Sequence, residues 1–145
     1  MSDVKGHDFE SLFGSQRGKI NNRERAKQIV DFSGIRFENI TPTDIDGLIE
    51  FHGKYWIWIE LKHGDAEIPF GQRLAFERLA DNLEKVGKPT IFIISSHEQD
   101  DPEKDIDCAN SIVREYRSRN VWHTPQKQIT TIELIKKFLE YHKEF

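Results

Sequence analysis

Two aspartates, a glutamate and a lysine (Asp44, Asp46, Glu60 and Lys62) stand in an order suited to metal-assisted phosphate chemistry. Carboxylates hold hard divalent cations, and an ammonium meets a phosphate or orients a water. The residues between them decide whether they meet. Residues 44–51 and 55–62 form two short apolar runs around His52, Gly53 and Lys54, the pattern of a β-hairpin. With His52, Gly53 and Lys54 as a three-residue loop, Phe51 faces Tyr55. Counting back, Asp46 lies opposite Glu60 and Asp44 opposite Lys62. Asp46, Glu60 and Lys62 then share one face. A two-residue loop would slip the register by one and break the arrangement. Two bare carboxylates set opposite each other repel. Lys62 offsets part of that repulsion, and a bound cation would offset more.

The flanking elements must hold this hairpin. Over residues 21–33, Ala26, Ile29, Val30 and Phe32 predict an amphipathic helix stopped by Gly34. Residues 35–40 read as a short strand or an extended lead-in. Over 69–86, Leu74, Phe76, Leu79, Leu83 and Val86 recur at helical spacing, and Gly87 ends the run. Residues 89–95 carry a continuous apolar run, which predicts a strand covered on both faces. An acidic loop, a hairpin over 112–116 and 120–123, and a helix from Thr131 to about His142 follow. In that helix Ile132, Ile135, Phe138 and Leu139 lie on one side. This order predicts an α/β domain with a mixed sheet.

The chain has 145 residues and a net charge of −4, which points to one domain spanning 1–145 with residues 1–18 flexible. Nothing approaches the length of a membrane span, and no leader pattern opens the chain. A single cysteine, Cys108, makes no internal disulfide, and Cys/His zinc spacing is absent. A cytoplasmic setting is expected. The acidic balance is not that of a general nucleic-acid binder, but charge is unevenly spread. Arg17, Lys19, Arg23, Arg25 and Lys27 cluster early, whereas residues 98–107 hold six acids and one lysine.

Asp46 before Gly47, followed by Glu60-Leu61-Lys62 on the next strand, resembles the PD-(D/E)xK nuclease superfamily. The resemblance covers about residues 20–97. It extends to Glu24, placed where family members carry a further acid on the first helix, and to Gly71-Gln72, where many carry a glutamine. The stretch from Lys62 to Gln72 is similar to that of the virus-type replication-repair nuclease branch. Thr43-Asp44-Ile45-Asp46-Gly47 stands where a Pro-Asp pair is usual, so Asp44 and Asp46 compete for one role. Asp46 is preferred, because it faces Glu60 and precedes Gly47. The resemblance implies a restriction-endonuclease-like αβββαβ core with a mixed sheet flanked by helices, extended by the C-terminal hairpin and helix. It also implies a bacterial or phage-infected cytoplasm.

It further implies a Mg²⁺-dependent nuclease acting on DNA, an endonuclease by expectation, with Mn²⁺ able to substitute. Asp46 and Glu60 would hold the ion, the Leu61 carbonyl would add an oxygen, and Lys62 would assist the attacking water. Glu24 is read as a second metal ligand or as ordinary helix charge. Gln72 is read as a contact near the scissile phosphate or as a first-turn polar residue. Asp44 is read as a partner of Lys62 or as a turn acid. Arg17, Lys19, Arg23 and Lys27 are candidates for backbone phosphate, against a solvated helix face. Trp56 and Trp58 share the Glu60 face; packing against the first helix is preferred to stacking on bases. His63 is read as incidental. A homodimer would supply specificity that so small a chain lacks. The competing class is a catalytically inactive nucleic-acid-binding or assembly module on the same fold. A protein-interaction domain without metal affinity is the third.

Overall fold

The computed structural model describes Lys19 and residues 22–143. The expected looseness of residues 1–18, and Arg17 with them, lies outside the described residues. Contacts divide the chain between Pro42 and Thr43 into two compact units.

In the first unit, α1 (Arg23–Ala26) is a single turn, far shorter than the helix expected over 21–33. Asn22 caps it, its Oδ1 accepting the Arg25 N–H at 3.1 Å. The helix stops early, and its apolar side finds no cover among the described residues: Ile29 is 92% exposed and Val30 70%. A short helix without a buried face is marginal in water, and two β-branched residues in succession do not favour it. The strand expected at 35–40 is instead a tight turn. Phe37 and Ile40 form an isolated bridge around Glu38 and Asn39, whose φ values are 50° and 68°.

The second unit holds a five-stranded mixed sheet in the order β1-β2-β3-β4-β5. Its strands are β1 (Gly47–Phe51), β2 (Tyr55–His63), β3 (Thr90–His97), β4 (Ile112–Ser118) and β5 (Val121–His123). β2 and β3 run parallel and the other pairs antiparallel. A parallel pair needs a crossover, and α2 (Phe70–Lys85) provides it. The expected αβββαβ core therefore appears in the sheet as ββαβ, because residues 35–40 turn back on themselves. The late hairpin is no appendage: β4 pairs with β3 and continues the sheet.

Helices cover both faces. On one, Phe76 of α2 packs with Trp58, Phe92 and Ile94. Phe76 and Phe92 stack at 4.7 Å between ring centroids. On the other, Leu134, Ile135 and Phe138 of α3 (Thr131–Lys143) pack on Ile57, Ile91, Ile93 and Val113. Burying such side chains contributes about 1.5–3 kcal/mol each. Leu134 takes the buried place expected of Ile132. In α2, Ala80 is buried while Leu79 is exposed, as is Val86 just past its end. β3, covered on both faces as its apolar run predicts, is buried from Thr90 to Ser95. A hydroxyl chain ties its end to its neighbours: Thr131 Oγ1 lies 2.6 Å from Ser95 Oγ and 2.7 Å from Ser111 Oγ. No helix among the described residues is long and apolar enough to cross a membrane.

The β1–β2 turn has the expected three-residue length, and Phe51 pairs with Tyr55. His52 and Gly53 take φ values of 56° and 70°, and the Lys54 N–H closes on the Phe51 carbonyl at 2.9 Å. The Gly53 N–H also meets the Glu50 carboxylate. An alanine at Gly53 has room, since its Cβ would come no closer than 3.7 Å to Glu50. It pays only for the left-handed backbone. Gly53→Ala is expected to cost about 1–2 kcal/mol in urea unfolding; an unchanged midpoint would show that the turn does not hold the hairpin.

Candidate active site

The hairpin register decides the site. Pairing runs from Phe51↔Tyr55 to Gly47↔Ile59. One step beyond, regular pairing lapses and the Asp46 side chain takes over. Its Oδ2 accepts the Leu61 N–H at 2.8 Å, fixing Asp46 beside the Glu60-Leu61-Lys62 segment.

Trp56, Trp58, Glu60 and Lys62 alternate onto the α2 face of β2. Trp58 is buried and Trp56 packs beside it, their rings 5.9 Å apart. The sequence led to an expectation of packing against the first helix; the apolar cover of these rings comes from Phe76 and Leu83 of α2. Glu60 sits at the end of that apolar cluster and is 3% exposed. Its Oε2 meets Gln72 Nε2 at 3.1 Å and Lys62 Nζ at 3.4 Å. Its Oε1 is buried with no hydrogen-bond partner.

Burial pushes the Glu60 carboxyl up to about 7. The Asp46 charge adds to the rise, the Lys62 ammonium opposes it, and Asp44 contributes a smaller upward push. A buried carboxylate oxygen with no donor is costly and uncommon.

Gln72 stands in the first turn of α2, and its Nε2 also reaches the Asp44 carbonyl at 3.4 Å. This amide therefore clamps the lead-in of β1 to Glu60. Lys62 pairs with Glu60, and no ion pair joins it to Asp44 among the described residues. Glu24 belongs to the first unit, where it meets Lys27 Nζ at 3.4 Å. Arg23 lies in α1, and Lys19 is exposed.

Sequence reasoning missed one neighbour. The loop before β4 approaches Asp46 through Cys108, whose thiol is pushed up by burial, with the Asp46 charge adding to the rise. No local pattern announces that approach, since it joins residues 62 positions apart in sequence. Two arginines brace the surroundings. Arg114 Nη1 donates to the Ala66 carbonyl at 2.6 Å. Arg73 forks onto Glu115 at 2.8 and 2.9 Å. His63, read as incidental, meets Asp100 Oδ1 at 2.7 Å.

Among the described residues no three His, Cys, Asp or Glu side chains converge as a closed metal cage. Magnesium does not need one, since it is held by one or two carboxylates and keeps several waters. Asp46 and Glu60 fit that demand, and the orphaned Oε1 of Glu60 is an acceptor in want of a positive charge. The donors are oxygens throughout, which suits Mg²⁺ or Mn²⁺ and not zinc. Comparisons with protein-family models, curated proteins and solved structures return no match.

Proposed function

We propose that this chain is a metal-dependent nuclease that hydrolyses DNA phosphodiester bonds, working as an endonuclease. The observation that carries the reading is the buried, unpartnered Oε1 of Glu60 beside Asp46, with Lys62 3.4 Å from the other oxygen. A carboxylate pair left so poorly compensated makes sense as half of a site completed by a cation.

Asp46 and Glu60 would hold that cation, with the Leu61 carbonyl as a further donor. Bound there, Mg²⁺ would neutralise phosphate charge and lower the pKa of a coordinated water. The chain's own residues do the rest. Lys62, partly exposed, directs its ammonium to the water and to the charge growing on phosphate. Gln72 holds the Glu60 carboxylate in one orientation, and the Leu61 N–H holds Asp46. Asp44 stands as a further proposed ligand. Lys19, Arg23 and Lys27, with Arg17, are proposed to hold backbone phosphate. Specificity would come from the shape of the DNA, a second copy of the chain or a partner.

The test is nicking of supercoiled plasmid and of branched DNA with Mg²⁺ or Mn²⁺, beside calorimetric titration of the ion. Cleavage with either ion, absent in EDTA, supports the reading. No cleavage of any DNA together with no heat of ion binding would overturn it in favour of a non-catalytic module.

A further inference from the structure

A cavity of about 390 Å³ opens between the β1–β2 turn and α3, lined by Phe51, His52, Lys54, Tyr55, Lys136 and Leu139 with Glu140 and Lys143. It lies at the opposite end of β2 from Glu60. Tyr55 and Glu60 are separated by five residues, roughly 17 Å of strand. Tyr55 also faces α3, whereas Glu60 faces α2. The groove is thus separate from the acid pair.

Its floor is aromatic. Phe51 and Tyr55 stack at 6.0 Å with 22° between planes, and the His52 ring stands edge-on to Phe51 at 4.6 Å. Phe51 remains 38% exposed. The Tyr55 hydroxyl is already committed to the His142 carbonyl at 2.7 Å, so Phe51 and Tyr55 offer ring faces, and His52 alone adds polar atoms to the floor. Its rim is basic. Lys54, Lys136 and Lys143 are exposed and join no ion pair among the described residues, and Glu140 is the lone acid in the lining. This is a concentration of positive charge on a chain whose net charge is −4.

We infer that this groove binds single-stranded nucleic acid, one base stacking at Phe51 and Tyr55 while the lysines hold the flanking phosphates. Lys136 and Lys143 lie two helical turns apart, about 10 Å. A polymer of repeated negative charges bridges that distance, whereas a small anion does not. The cavity admits one unstacked base and not a duplex. A floor of two ring faces suits the π-face of a base better than the backbone of an acidic peptide. The choice of ligand rests on the nuclease reading, but binding is measured without metal, so either idea can fail alone.

The experiment is fluorescence anisotropy of labelled oligo(dT) in EDTA, over a salt series. The wild-type chain is compared with the double variant Lys136→Ala/Lys143→Ala and with Phe51→Leu. The lysines are exposed, so their removal is expected to leave the urea midpoint unchanged. The double variant is expected to bind about tenfold more weakly, its salt slope falling by about 1.4, or 0.7 for each phosphate no longer neutralised. Phe51→Leu is expected to weaken oligo(dT) at least fivefold, yet leave an abasic oligomer unchanged. An unchanged salt slope in the double variant overturns the inference. So does equal competition by an oligoglutamate peptide, which would make the groove a docking surface for acidic protein.

Discussion

If the chain is the proposed nuclease, Lys62→Ala and Glu60→Ala are each expected to reduce metal-dependent DNA cleavage by about 10²–10³-fold, the loss when one preorganised charge is taken from a reacting centre. The two variants differ in how they fail. Glu60→Ala removes an oxygen proposed to hold the cation, so ion binding by calorimetry is expected to weaken together with cleavage. Lys62→Ala keeps both carboxylates and retains measurable ion binding. It also removes the ammonium that opposes the rise of the Glu60 carboxyl. Its residual ion affinity should therefore fall more steeply than the wild type's as pH drops below neutral. A Lys62→Ala protein that cleaves at the wild-type rate would remove the lysine from the mechanism. Wild-type rates in both variants would remove the hairpin from it.

What the sequence made legible follows from the range of the interactions. The register of β1 against β2 as far as Gly47↔Ile59 could be counted because one short loop determines it, whereas Asp46 leaves that pairing and takes the Leu61 N–H on its side chain. Phe51↔Tyr55 and Gly47↔Ile59 are the pairs that count requires. The buried run of β3 and the two long helices also announce themselves within one window of sequence. The early helix did not follow its own periodicity, because amphipathicity stabilises a helix only where something covers the apolar side, and Ile29 stands in solvent. Residues 35–40 have strand-like composition, yet Glu38 and Asn39 adopt positive φ and fold the segment back. The clamp of Gln72 on Glu60 was foreseen only as a residue near the site. Its partners are known once the crossover brings the start of α2 over β2. The approach of Cys108 to Asp46 had no local signal at all. The nuclease reading rests on residue types and a register, and the cleavage assays decide the chemistry.

The second large effect is on stability and needs no DNA. With its carboxyl raised from 4.5 to about 7 in the folded chain, Glu60 makes stability depend on pH. Below pH 4.5 both folded and unfolded states hold the proton, and the contribution is fully present. Between 4.5 and 7 the unfolded chain ionises while the folded chain keeps its proton, so stability falls as pH rises. Above 7 the loss is complete, about 3 kcal/mol at 1.36 kcal/mol per pH unit. In EDTA, Glu60→Gln should remove this slope and unfold at higher urea than wild type at pH 8, because a neutral amide bears no charge in the apolar pocket. Titrating groups away from Glu60 are common to the two proteins and cancel in the difference, which leaves Glu60 with the charges coupled to it, Asp46, Lys62 and Asp44. Mg²⁺ should then restore wild-type stability at pH 8 and leave Glu60→Gln nearly unmoved, since an ion that binds only the folded, ionised form stabilises by mass action. Identical pH slopes in the two proteins would mean that Glu60 is solvated in the folded chain. The unpartnered Oε1 would then be no argument for a cation.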